Sequence, residues 1–73
     1  MKIYDIGNKG RFLRWRMSVW AEGSEADKIP AMKKWCKEQF YDSTRDKDHQ
    51  PFEFGTSSNF YFEKPEHASW FVL

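Results

Sequence analysis

Arg14 and Arg16, two arginines separated by one residue, are the side chains of this sequence best suited to bind a partner. Guanidinium groups beside exposed rings bind single-stranded RNA or DNA through phosphate pairing and base stacking. Arginine, tryptophan and tyrosine also dominate the hot spots of protein interfaces. The sequence therefore predicts a partner-binding site composed of Phe12, Arg14, Arg16, Trp20 and Tyr61.

Two glutamates leave an alternative open for the same arginines. Glu53 and Glu63 are expected on the same sheet face, where they repel phosphate and can pair with Arg14 and Arg16 across strands. The face is then a solvated ion-pair surface or a homodimer contact. Segment 59–63 also lacks the glycine and basic residues of the RNA-recognition motif, although that fold displays aromatic residues on this face.

A polar segment at 42–51 holds another group of candidate ligands, Asp46, Asp48 and His49. Their spacing matches neither the paired Cys and His residues of a structural zinc site nor the loop of an EF-hand. We therefore predict an ordinary charged loop with no metal. Its basic residues are predicted to form a second contact loop, composed of Arg45, Lys47 and His49.

Cys36 is the only conceivable catalytic nucleophile with a histidine elsewhere to serve as its base. It falls within the apolar stripe of a predicted helix, whereas a reactive thiol needs exposure and positive surroundings. The sequence contains neither a glycine-rich phosphate loop nor a nucleophile elbow. We therefore predict a protein that is not an enzyme and needs no cofactor.

The composition is that of one small domain, residues 1–73, with an unusual excess of rings. Seven Phe, four Trp and three Tyr stand against only seven Ile, Leu and Val residues. A net charge of +1 is not the excess typical of a general nucleic-acid binder. The single cysteine favours a reducing compartment, and no apolar run reaches the roughly 18 residues that span a bilayer. We expect a cytoplasmic protein without a membrane partner.

Alternation of apolar and polar residues predicts the strands that carry these side chains. Residues 2–6 can form a short first strand, and the clearest strand begins at Arg11 after a turn at 7–10. One face of that strand is predicted to join the core, with Leu13, Trp15, Met17, Val19 and Ala21. Two further strands are predicted around Phe52 and Phe54 and around Phe60 and Phe62, joined by a hairpin at 55–58.

The main helix is predicted to start at Pro30, because proline is tolerated at the first helical position. A capping box at 24–27 offers an earlier start, but that start places Pro30 inside the helix. A single helical turn is predicted from Pro65, followed by a last strand at 70–73. This order predicts a compact ferredoxin-like α+β domain, a split βαβ with its second helix reduced to about one turn.

Residues 52–73 resemble the C-terminal half of small proteins encoded by tailed bacteriophages. The resemblance lies in the strands Phe52-Glu53-Phe54-Gly55 and Asn59-Phe60-Tyr61-Phe62-Glu63, then Lys64-Pro65-Glu66-His67-Ala68-Ser69-Trp70-Phe71-Val72-Leu73. It implies expression in the bacterial host's cytoplasm and a protein that binds and inhibits one host component, such as a defence nuclease, a toxin, a CRISPR effector or RNA polymerase. It assigns no catalytic residues.

These observations lead to three functional hypotheses. The first is a non-enzymatic phage-type interaction protein that binds a host protein or ribonucleoprotein. The second is a single-stranded RNA- or DNA-binding protein that uses the arginine and aromatic face. The third is a structural subunit that assembles with itself through the same face.

Overall fold

The computed structural model of the chain describes residues 1–55 and 58–73. Four strands form one antiparallel sheet in the order β1-β2-β4-β3, with β1 at Lys2–Lys9, β2 at Trp15–Trp20, β3 at Phe52–Phe54 and β4 at Asn59–Phe62. Helix α1 spans Ile29–Phe40 and helix α2 spans Pro65–Val72. The predicted hairpin connection includes residues 56 and 57, which lie outside the described residues.

The register of the sheet separates two faces. Across the four strands, Ile3, Val19, Phe60 and Phe54 are paired in one row, and Tyr4, Ser18, Tyr61 and Glu53 form the next row on the opposite face. The first face lies under the helices. Its core cluster contains Val19, Cys36, Phe40, Phe60, Phe62, Ala68 and Phe71.

Helix α1 begins one residue before the predicted start, and a 3-10 helix at Gly23–Lys28 precedes it. The capping box is formed by Glu22 and Glu25, since the Glu25 carboxylate accepts the Glu22 backbone N–H at 3.0 Å. Pro30 therefore sits in the first turn of the α-helix, where its missing N–H costs little. The expected stripe lies on the core side of this helix, with Cys36 and Phe40 buried and Met32 and Trp35 half-buried.

The prediction of a last strand at 70–73 is wrong, and so is the prediction of a one-turn second helix. Residues 65–72 form α2, which buries Ala68 and Phe71 at helical spacing against the sheet. The edge of β2 that a terminal strand would occupy already pairs with β1. The protein is an α+β domain with a four-stranded antiparallel sheet, but the ferredoxin-like order is not confirmed.

The start of the main strand also differs from the prediction. Residues 11–13 form a 3-10 turn in which Leu13 donates its N–H to the Gly10 carbonyl at 3.0 Å. Phe12 and Leu13 have φ angles of 63° and 53°, so this segment reverses direction and cannot continue β2. Leu13 is consequently 69% exposed and does not join the core. Trp15 is buried but lies outside the core cluster, with its ring 6.4 Å from that of Tyr61.

Within the described residues, neither helix has the length and apolar character required to cross a membrane.

Candidate functional site

The sheet face opposite the helices carries exposed aromatic residues in paired positions. Tyr4 lies across from Ser18, which in turn pairs with Tyr61, and Lys2 lies across from Trp20. Tyr4 is 48% exposed and Trp20 is 41% exposed. We call this surface, composed of Lys2, Tyr4, Ser18, Trp20, Glu53, Asn59 and Tyr61, the exposed sheet face.

An open recess lies between β1 and β2 on this face. Tyr4, Ile6 and Trp20 form its walls, and Asp5 lies at its rim. Ser18 lines the same recess but is only 2% exposed, because its small side chain sits lower than the rings on both sides. A small residue among larger ones gives the otherwise flat sheet a depression of the kind that accepts a partner's side chain.

Arg14 does not point freely from the sheet. Its Nε and Nη2 atoms donate to the Glu63 carboxylate at 2.9 and 2.7 Å, and Nη2 also donates to the Gln50 carbonyl at 2.6 Å. The guanidinium carbon lies 4.5 Å from the centroid of the Trp15 ring. Of the two alternatives for Arg14, a pair with Glu63 is therefore the one observed, and only 16% of the side chain is exposed.

Glu63 joins a second arginine to the same network. Its Oε1 atom accepts a hydrogen bond from Arg45 at 2.9 Å, and Arg45 also lies 3.5 Å from the Asp42 carboxylate. Burial raises the pKa of Glu63, but the hydrogen bonds from Arg45 and Arg14 outweigh it and hold that pKa below its ordinary value. Arg45, predicted as a contact residue, thus links the 42–50 loop to the sheet.

Arg16 is the more accessible of the two arginines. It pairs with Asp5 of β1 at 3.1 Å, and 46% of its side chain remains exposed. Hydrogen bonds from Arg16 and from the backbone N–H of Gly7 lower the pKa of Asp5. The predicted pairing of Arg16 with Glu53 or Glu63 is therefore replaced by a pair with Asp5 of β1. An exposed pair of this type contributes little to stability.

Phe12 and His49 lie at the other end of the sheet from Trp20. They line a recess together with Arg14, Trp15, Asp48 and Glu53. Phe12 is 73% exposed because it belongs to the turn before β2, not to a strand face. Lys47 lies nearby in a short 3-10 turn, Lys47–His49, which places the predicted second contact loop beside this end of the sheet.

The long loop between α1 and β3 is folded around one buried side chain, Gln50. The Gln50 carboxamide oxygen accepts the Asp42 N–H at 2.6 Å, and its amide nitrogen donates to the carbonyls of Asp42 and Asp46, each at 3.0 Å, and of Arg45 at 3.3 Å. Gln50 is 6% exposed. These bonds fix the loop although it contains little regular structure.

The structure therefore divides the predicted contact residues into two groups. Trp20 lines the recess between β1 and β2, and Arg16 pairs with Asp5, which lines it too. Phe12 and Arg14 lie at the opposite end with the 47–49 turn. Tyr61 lies between the groups, and its hydroxyl accepts a hydrogen bond from the Asn59 side chain at 2.6 Å. Sequence reasoning missed Tyr4, which reaches the site only because β1 pairs with β2.

The remaining chemical candidates are buried or dispersed. Burial raises the pKa of the Cys36 thiol to about 12, and its side chain has no exposed surface. A thiol in this state is a poor nucleophile. Within residues 1–55 and 58–73, no three His, Cys, Asp or Glu side chains are grouped as metal ligands.

His67 on α2 gives the fold a dependence on pH. Its ring stacks on Phe40 with centroids 4.3 Å apart, and its Nδ1 atom is buried with no hydrogen-bond partner among the described residues. Burial and then the charge of Lys64 lower the pKa of His67, while Glu66 and Glu63 act in the opposite direction. The neutral ring is therefore the form that fits this position.

Stability should fall as pH drops below 6.5. Because the folded-state pKa of His67 lies below its ordinary value of 6.5, its contribution is complete above pH 6.5 and is lost as pH falls through the folded-state pKa. His67→Phe should keep the stacking and flatten this part of the curve. Denaturant unfolding at several pH values measures both proteins, and an unchanged slope in the variant would refute the assignment to His67.

Comparison with known proteins places the chain in no family: no protein-family model matches it, and no curated protein or solved structure is significantly similar. The resemblance to tailed-phage proteins stays a prediction.

Proposed function

We propose that this protein is a non-enzymatic interaction protein of the phage type, which binds a macromolecule of the bacterial host and inhibits it. Its target class is that of defence nucleases, toxins, CRISPR effectors and RNA polymerase, and its site of action is the host cytoplasm. The observation that carries the proposal is the exposed sheet face, where Tyr4 and Trp20 border a recess that no described element covers.

The composition of this face favours a protein partner. Large rings with polar tips bury much area on binding, and Tyr and Trp are the residues enriched at the centres of protein interfaces. The depression over Ser18 is bordered by both rings and by Ile6, which suits an apolar side chain from the partner. Both rings stand on strands whose backbone is already ordered, so binding has only their side chains to order.

The pairing of the arginines argues against single-stranded nucleic acid as the main ligand. Arg14 is committed to Glu63 and to the Gln50 carbonyl, and Arg16 is paired with Asp5. Phosphate binding at this face would have to displace one of these carboxylates. Nucleic acid remains the second candidate, because Arg16 is the more exposed of the two and stands on the strand that carries Trp20.

A pull-down from bacterial lysate tests the proposal, with tagged protein and with or without nuclease treatment. We expect one stoichiometric host protein that survives nuclease and whose activity falls on addition of the purified chain. Tyr4→Ala combined with Trp20→Ala should weaken that binding by about 30-fold or more, which corresponds to roughly 2 kcal/mol for an interface hot spot.

Trp70→Ala is the matched control. Trp70 is 50% exposed and lies on the helix side. Its ring centroid lies 5.9 Å from that of Trp35 and 5.6 Å from that of Phe40. This variant should lose stability and still bind, which separates loss of contact from loss of folding.

Partners that disappear with nuclease, and an affinity that falls steeply with salt, would replace the proposal with the nucleic-acid hypothesis. Self-association lost in the Tyr4 and Trp20 variant would replace it with the structural-subunit reading.

A further inference from the structure

A second surface of the protein runs along the free edge of β3. Here a groove of about 870 Å³ lies between the end of α1, the 42–50 loop and the strand. Phe52 and Phe54 line it from the helix side of the sheet, and Glu53 lines it from the other side. The groove therefore follows the strand itself and exposes its outer edge.

The hydrogen bonds of β3 show which backbone groups face this groove. Gly55 donates its N–H to the Asn59 carbonyl at 2.8 Å, and the Pro51 carbonyl accepts the Glu63 N–H at 3.1 Å. Inward and outward groups alternate along an antiparallel strand, so residues 51, 53 and 55 bond toward β4. The N–H and C=O groups of Phe52 and Phe54 consequently point outward, along the groove.

The two edges of the sheet differ in how they are protected. The outer strand β1 is interrupted by a register shift between Asp5 and Lys9, with left-handed φ angles of 64° at both Gly7 and Asn8. An irregularity of this kind disfavours strand pairing along residues 5–9, whereas Lys2–Asp5 are paired regularly with β2. Strand β3 is regular over its three paired residues. The β3 edge is the better suited to accept a strand because a groove lies along its outward backbone groups.

The side chains around the groove define what such a strand would carry. On the helix side, Phe52 and Phe54 are half-buried and offer an apolar surface, and Lys37 lies 5.9 Å from the Phe54 ring centroid. On the other side of the strand, Glu53 is exposed. The charged residues that line the groove are Glu38, Asp48 and Glu53 against Lys37 and Lys47, so the carboxylates are in excess by one. Alternate residues of an added strand point to these two sides.

We propose that the β3 edge binds an extended segment of a partner protein by strand addition. Its backbone pairs with Phe52 and Phe54, its apolar side chains lie against these two rings, and an intervening basic side chain lies beside Glu53 and Asp48. Recognition of this type takes affinity from main-chain hydrogen bonds and specificity from alternate side chains. The inference concerns the outer edge of β3, which shares only Glu53 with the exposed sheet face, and it stands whether or not Tyr4 and Trp20 bind a target.

The probe is a displayed library of random linear heptapeptides, from which the most enriched sequence is synthesised and titrated. We expect a sequence that alternates apolar and basic residues. Because Cys36 is the only cysteine, the protein can be assembled chemically by ligating segments 1–35 and 36–73. N-methylation of Phe54 then removes one outward N–H while keeping the ring and the β3–β4 ladder, and should weaken peptide binding at least tenfold.

Glu53→Lys is a second variant that leaves the backbone intact. The affinity for the basic peptide should fall at least tenfold. A peptide with glutamate at the basic position should bind Glu53→Lys more tightly than it binds the unchanged protein. Thermal melting confirms that both altered proteins fold. Failure of the library to enrich any sequence would overturn the inference, and so would a peptide whose affinity neither change alters. If only the variant with Tyr4→Ala and Trp20→Ala lost peptide binding, the peptide would lie on the exposed sheet face, and the inference would also be overturned.

Discussion

Gln50→Ala is expected to lower the free energy of unfolding by about 3 kcal/mol, because a buried side chain and its hydrogen bonds are removed together. The carboxamide makes four hydrogen bonds to the backbone of residues 42, 45 and 46. Without them the Asp42 N–H loses its acceptor and the Arg45 carbonyl loses the Gln50 donor, while the Asp42 and Asp46 carbonyls keep only the N–H groups of Arg45 and His49. The loop should then exchange its amide hydrogens faster than the rest of the chain.

The matched control for this prediction is Gln39→Ala. Gln39 is the other glutamine of the chain and is exposed on α1, so the same change should alter stability by less than about 0.5 kcal/mol. Urea unfolding followed by tryptophan fluorescence measures both variants. Equal stability of the two would mean that Gln50 does not hold the loop.

Glu63→Gln is expected to cost about 2 kcal/mol, because it removes the negative charge between Arg14 and Arg45 but keeps the shape of the side chain. This is less than the roughly 3–5 kcal/mol lost when a fully buried pair is broken, since a fifth of the Glu63 side chain remains exposed. The matched control is Asp5→Asn, which removes the partner of Arg16. That pair is exposed, so no resolvable change in stability is expected.

Glu63→Gln should also change how the free energy of unfolding depends on pH in acid. The folded-state pKa of Glu63 lies below its ordinary value of 4.5, so its stabilising contribution is present above pH 4.5 and is lost as pH falls through the folded-state pKa. Below pH 4.5 the free energy of unfolding should therefore change less with pH in Glu63→Gln than in the unchanged protein. A variant that retained both the stability and the acid response would contradict the role given to Glu63.

The sequence predicted the parts of the fold that depend on local pattern. Alternating Phe residues marked β3 and β4, and the apolar stripe through Cys36 and Phe40 marked α1. Trp70 and Phe71 have strand propensity, yet they lie in a helix, because the neighbouring edge position is taken by β1 and packing decides the outcome. Propensity alone does not reveal that an earlier strand already occupies the edge.

The candidate site shows the same division between local and long-range information. The exposure of Trp20 follows from the alternation along β2, and sequence reasoning identified it. Arg14 finds its partner only because the chain path brings Glu63 and the 42–50 loop together beside it. Glu63 is 49 residues away from Arg14 in the sequence. Asp5 was missed as the partner of Arg16 for the same reason, because the pairing of β1 with β2 was not foreseen.

The central claim is that the exposed sheet face binds a host protein, and site-specific photocrosslinking tests it most directly. A benzophenone amino acid replaces Tyr4 in one protein and the exposed Gln39 of α1 in another, and both are irradiated in bacterial cells. We expect one nuclease-resistant protein adduct from position 4, absent from position 39 and lost when Trp20 is changed to alanine. Adducts to RNA, adducts to a second copy of the chain, or equal adducts from both positions would contradict the claim.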